Sequence, residues 1–428
     1  MTSYRQPGTI LTDHTFLVPV DHGNPEGDQI EVYAREIVAT GKAAANLPWL
    51  LFLQGGPGVG AQRPVGREGW LDRALNDYRV LLLDQRGTGR SSPVTRQGLT
   101  ALGPAKAQAE YLAHFRADSI VLDAELIRRE LIDDDPWSVL GQSFGGFCTI
   151  SYLSFAPHGI REAFITGGLP GLTATAEDVY RLTYPQVARK NADYYTRYPD
   201  DVELVREIAR YLSERDVRLP DGAPLTVQAF QSIGGMLGQA TGSHQMHYFV
   251  ENAFTPEGDL SDAFLHQALA KRTFAGVPLY ALLHEPCYAQ GAATRWSAER
   301  IHTEFPEFDA DQALASDAPL LFTGEMIYPW MIDADPLLRP LRQTADLLAD
   351  RDNWPPLYDP TRLAANEVPV AAAVYYEDMY VPRQLSTPTA NAIRGLRPWI
   401  TNEYEHDGLR VSSGKVLDRL IGMVRGTI

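Results

Sequence analysis

Ser143 stands in Gly141-Gln142-Ser143-Phe144-Gly145, a G-x-S-x-G pattern with the spacing of a nucleophile elbow. A serine hydroxyl is a weak nucleophile until a neighbouring base takes its proton. It must also be presented on a sharp turn. Trp137–Leu140 reads as a strand, and the small, apolar run Gly145–Leu153 reads as a helix. Strand, tight turn and helix lift a serine above a sheet edge, and the helix N-terminus favours negative charge developing beside it. The chemistry indicated is acyl transfer through an acyl-serine. It needs a base, an acid that orients the base, and N–H donors for an oxyanion.

The donors are expected at a glycine turn. Leu47–Gln54 reads as a buried strand that ends in Gly55-Gly56-Pro57-Gly58. The N–H groups of Gly55 and Gly56, with that of Phe144 just after the nucleophile, make the expected oxyanion hole. The acid and base are expected near the C-terminus, in the order Ser, Asp, His. Val368–Asp378 reads as a small-residue strand ending in two carboxylates, followed by a helix through Thr389 to Arg397. A last short strand from Trp399 is expected to end at His406. Asp378 is therefore the expected acid and His406 the expected base. Glu377 is the immediate rival, since adjacent strand residues point to opposite faces. Ala318–Glu325 also reads as a strand ending in a carboxylate. Glu325 is set aside as the acid because the segment from it to His406 is too long for a single helix.

These side chains need a sheet to carry them. Tyr78–Asp84 is another continuous apolar run, leading into Gln85-Arg86-Gly87-Thr88-Gly89, and Glu162–Gly167 follows the nucleophile helix as a further strand. Continuous apolar strands are those of a parallel sheet covered on both faces. The expected fold is an α/β-hydrolase fold, a mostly parallel sheet flanked by helices, with an inserted, mainly helical cap. The expected divisions are residues 1–169 for the N-terminal part of the core, 170–366 for the cap and 367–428 for the C-terminal part. Within the cap, Asp178–Tyr198 and Asp200–Glu214 interleave charges with apolar residues and read as helices. A cap in that place covers the serine and sets substrate choice.

Three segments together, Gly55–Gly58, Asp84–Ser91 and Gly141–Gly146, resemble the prolyl aminopeptidase (proline iminopeptidase) family of serine peptidases. The long cap, with His284–Tyr288 and Gly324–Trp330, resembles its larger bacterial subgroup. One departure is Gln54, where the family usually has histidine. The resemblance implies a peptide substrate with a free N-terminus, preferentially proline, and no cofactor. Such an enzyme must hold a charged amine, and a buried carboxylate does so by charge-assisted hydrogen bonding. Glu251, Glu285 and Glu325 lie in aromatic or apolar company and are the expected substrate-binding carboxylates; the resemblance implies cap glutamates in this role without matching single residues.

Other readings are weaker. Gly56-x-Gly58-x-x-Ala61 with Asp84 matches a dinucleotide fingerprint, but Pro57, Pro64 and Gly66 oppose the helix that should follow. His244 and His247 have helical spacing for metal ligands yet lack a third partner, and Tyr288 stands where His284-Glu285 would need a second histidine. Cys148, just past the nucleophile, reads as a buried helix residue. A non-catalytic binding protein on the same fold is opposed by the intact serine, acid and histidine. A carboxylesterase, or another α/β-hydrolase acting on a small ester or amide, is the principal alternative. The chain of 428 residues carries a net charge of −16, which opposes nucleic acid and anionic membrane as partners. No apolar signal core opens the chain and no run approaches a membrane span. With only two cysteines there is no disulfide framework, and a reducing cytoplasm is the expected location.

Overall fold

Nine strands form one sheet in the computed structural model, which describes residues 2–428. They are β1 (Thr2–Gln6), β2 (Thr9–Pro19), β3 (Gln29–Ala39), β4 (Trp49–Leu53), β5 (Arg79–Leu83), β6 (Trp137–Gln142), β7 (Ile160–Thr166), β8 (Val370–Tyr375) and β9 (Leu396–Thr401). Their spatial order is β1-β2-β3-β5-β4-β6-β7-β8-β9. The first three strands and the β3–β5 junction are antiparallel, and every later pair is parallel.

The continuous apolar runs explain the parallel part. All six residues of β6 and all six of β8 are buried. Alternate residues feed two separate cores, as strand geometry requires. Leu51, Leu83, Val139 and Ala372 face one core, with helices Ala117–Ile132 and Phe144–Phe155 packed on it. Leu50, Leu82, Leu140 and Ala373 face the other, covered by Gly69–Ala74 and Lys415–Arg425. The last helix buries Val416, Leu417, Leu420 and Ile421, one stripe at helical spacing.

Between β7 and β8 the chain adds no strand to the sheet. This insertion is chiefly helical. Its longest helix, Ala176–Arg197, opens with a reciprocal cap between Thr175 and Asp178, and Asp201–Glu214 follows it. Its apolar side chains join the same core as the nucleophile helix.

Three expected elements differ. Ala318–Glu325 forms no strand, because the insertion offers it no sheet edge. The helix after β8 is Arg383–Ala392, not Thr389–Arg397; Gly395 takes a left-handed turn (φ +78°) and β9 begins at once. His406 does not end a strand, because β9 stops at Thr401 and His406 lies in the loop beyond it. The antiparallel strands β1–β3 mix exposed and buried positions and lack the apolar runs that mark β4 and β8.

Candidate active site

Ser143 sits between β6 and its helix with φ 56° and ψ −125°, a backbone state costly for any residue with a Cβ. Its N–H donates to Thr166 O at 2.9 Å and its carbonyl accepts from Gly146 N–H at 2.7 Å, so the turn is fixed from both sides. Gly145 is required by close approach: a Cβ there would lie 1.9 Å from Leu53 O. That contact brings the end of β4 against the start of the helix. On the β4 side, a Cβ on Gly55 would lie 2.9 Å from Ser143 Cβ.

The Gly55–Gly56 turn is held by amides. Gln85 Nε2 donates to Gln54 O at 2.9 Å. We orient the Gln54 amide with its oxygen accepting from Arg410 Nη2 at 2.8 Å and from the Gly55 N–H at 3.2 Å, the assignment that satisfies both donors. The Gly55 N–H is thus occupied, which corrects its expected place as an open donor. The N–H groups of Gly56 and Phe144 have no acceptor among the described residues.

Asp378 and His406 meet above this turn. Asp378 is 2% exposed. Its Oδ1 accepts from the N–H of Tyr380 at 2.8 Å and of Val381 at 3.0 Å, and its Oδ2 pairs with His406 Nδ1 at 2.7 Å. Such a contact fixes Nδ1 as the protonated nitrogen and leaves Nε2 as a base. Burial pushes the imidazole pKa down, but the charge and hydrogen bond of Asp378 outweigh it and the net direction is up. Tyr380 packs against the imidazole, ring centroids 4.6 Å apart. Gly167, at φ +53°, leaves room for the ring: a Cβ there would lie 3.1 Å from His406 Nδ1. Glu377 points away, half-exposed, toward Lys190 at 3.7 Å. Lys190, on the insertion's long helix, is buried and pairs with Glu405 at 2.6 Å.

Ser143 and His406 line one cavity of about 480 Å³, together with Gly55, Gly56, Tyr280 and Glu325. Of the three expected cap carboxylates, only Glu325 reaches it. Its Oε1 accepts from the Tyr280 hydroxyl. Glu285 lies elsewhere, 4% exposed, accepting from the N–H of Ser297 at 2.9 Å and of Ala298 at 2.8 Å. It caps a helix start. Glu251 is exposed, 3.7 Å from His247. His247 pairs with Asp201 at 3.0 Å and stacks on Tyr198, while His244 pairs with the Tyr198 hydroxyl at 2.5 Å. No cluster of three metal-ligating side chains occurs among the described residues.

Asp84 is taken up between its own loop and the loop after β4. It accepts from Ala61 N–H at 3.0 Å and Arg90 N–H at 2.9 Å and pairs with Arg63. No helix starts at Gly58, so the dinucleotide reading fails on both counts. Arg86 similarly ties Asp123 at 2.7 Å to the carbonyls of Val20 and His114. The sequence reading missed Tyr280, Tyr380, Lys190, Gln85 and Arg410. Position hints existed for two of them: Tyr380 is two residues past Asp378, and Arg410 is four past His406.

A model of the alpha/beta hydrolase fold matches residues 48–264. A proline iminopeptidase of Aeromonas sobria is 48% identical over 423 residues, covering 99% of this chain and 98% of that one. The proline iminopeptidase aneH of Aspergillus aculeatus is 38% identical over 436 residues, covering 98% of this chain and 95% of that one. With likeness of that extent and an α/β-hydrolase sheet beneath the elbow, the chain belongs to the proline iminopeptidase family.

Proposed function

We propose that this protein is a serine aminopeptidase that releases an N-terminal residue, preferentially proline, from peptides. The observation that carries the reading is the single cavity shared by Ser143, His406 and Glu325. Its relatives' name supplies the substrate class. Glu325, oriented by Tyr280, binds the substrate's charged amine. His406 Nε2 takes the proton from Ser143 as the hydroxyl attacks the carbonyl of the first residue. Asp378 holds the tautomer and stabilises the imidazolium. The N–H groups of Gly56 and Phe144 hold the oxyanion. His406 then protonates the leaving amine, and water activated by the same imidazole frees the acyl group.

No helix is long and apolar enough to cross a membrane. A cytoplasmic setting is part of the proposal, supported by Cys148 and Cys287, both free and buried. The test is a panel of prolyl, alanyl and leucyl chromogenic amides, N-acetylprolyl amide and an acetyl ester. The prolyl amide should be cleaved fastest and its acetylated form slowly. An enzyme that takes only the ester is a carboxylesterase instead.

A further inference from the structure

The cavity carries charges of both signs. Arg410 lines it on the same stretch of chain as His406, four residues later, in the short helix Gly408–Val411. Its Nη2 donates to Gln142 Oε1 at 3.4 Å and to Gln54 Oε1 at 2.8 Å. Gln142 directly precedes the nucleophile and Gln54 directly precedes the glycine turn, so two neutral amides tether the guanidinium at the elbow. Arg410 makes no ion pair among the described residues. Asp407 acts on it only at a distance, and its Oδ1 is occupied by the Ala240 N–H at 3.1 Å. The other cations at the cavity are differently placed. Lys271 lies over the Phe249 ring at 5.6 Å, and the three Arg272 guanidinium nitrogens are buried without a hydrogen-bond partner among the described residues, away from the elbow amides that hold Arg410.

The leaving amine takes its proton from His406, so the leaving residue lies on the histidine side of the scissile bond. In a dipeptide that residue ends in a carboxylate roughly 3.5 Å further on, one extended residue. In a longer peptide the same place holds a neutral amide. A guanidinium presents a fork of donors that matches a carboxylate and not an amide.

On the aminopeptidase reading, we infer that Arg410 is a specificity residue that binds the free α-carboxylate of a one-residue leaving group, so that zwitterionic dipeptides are the preferred substrates. Glu325 takes the amine and Arg410 the carboxylate, with Ser143 between them in function.

The test compares Pro-Gly with Pro-Gly-NH2, which differ only in that carboxylate, in the wild type, Arg410→Gln and Arg410→Lys. The readout is the ratio of the two kcat/KM values. The wild type should favour Pro-Gly about ten- to a hundredfold, the effect of one charge-assisted contact. The ratio should fall toward one in Arg410→Gln and recover in part in Arg410→Lys. A merely structural arginine would lower both rates together and keep the ratio. A wild-type ratio near one, or a ratio retained in Arg410→Gln, overturns the inference and leaves the aminopeptidase reading standing. A wild type that cleaves neither substrate overturns both.

Discussion

Asp378 is fixed through both of its oxygens: one accepts from two backbone N–H groups, and the other meets His406 Nδ1 at 2.7 Å. The Asp378 carboxylate is therefore aimed at His406 by the loop after β8. Glu377, its neighbour, faces away toward Lys190.

Asp378→Asn should lower kcat by about 10⁴-fold, the scale on which a mis-set imidazole tautomer acts in another serine protease. Glu377→Gln should cost far less. Equal losses in the two variants, measured on a prolyl amide, would transfer the role of acid.

The pH profile follows from the direction of the His406 shift. Burial favours the neutral ring, but Asp378 outweighs it and holds the proton more tightly than in a free imidazole. Only the neutral ring accepts the serine proton, so kcat/KM should rise with pH through an apparent pKa above about 6.5. Removing the carboxylate charge in Asp378→Asn should move the residual activity's acid limb to lower pH. An unmoved limb would assign it to another group.

Ser143→Ala should fold normally and lose activity by a factor on the order of 10⁶. Losing the hydroxyl leaves the strained φ of 56° in place, so thermal unfolding should be close to that of the wild type. A folded variant that keeps a few per cent of the activity would sink the assignment of the nucleophile.

Glu325→Gln should lose about ten- to a hundredfold in kcat/KM on a prolyl amide, since a charge-assisted contact is worth about 1.5–3 kcal/mol, while an acetyl ester should be hydrolysed almost as before. Glu251→Gln should leave both activities intact, as its side chain stands outside the cavity. Parallel losses on amide and ester in Glu325→Gln would remove the amine-binding role.

Glu285→Ala tests a different kind of carboxylate. It strands the N–H groups of Ser297 and Ala298 in the interior, which should cost about 1–3 kcal/mol of stability. The urea midpoint should fall, and kcat/KM of the folded enzyme should change less than in Glu325→Gln. A selective loss of amide turnover at unchanged stability would return Glu285 to the list of substrate ligands.

What the sequence made legible tracks how strongly local pattern determines structure. The runs that became β4–β8 are apolar over most of their length because both faces are covered, so they stood out unaided. The 11-residue strands β2 and β3 mix buried and exposed positions, with the buried pair His14 and Glu36 among them, and the pattern alone did not separate them. Ala318–Glu325 had the composition of a strand, but strandhood depends on a partner and none is available there. Spacing singled out Ser143, Asp378 and His406, and in the structure Asp378 meets His406 while Ser143 and His406 line one cavity. Which glutamate reaches the cavity was not, because Glu251, Glu285 and Glu325 have similar company in sequence and are sorted only by how the insertion packs.

Lys190 gives that insertion a wider meaning. A single ammonium from its long helix lies 2.6 Å from Glu405 and 3.7 Å from Glu377, the residues that flank His406 and Asp378 in the chain. The insertion therefore staples the loop of Asp378 to the loop of His406. A graft that exchanged this region for that of another α/β-hydrolase would sever the staple and leave Glu405, whose carboxyl is already pushed up by burial, without its counterion. On the proposed function, specificity and catalytic geometry are then not separable modules in this chain: a chimera would have to carry a replacement for Lys190 to keep Asp378 and His406 in register.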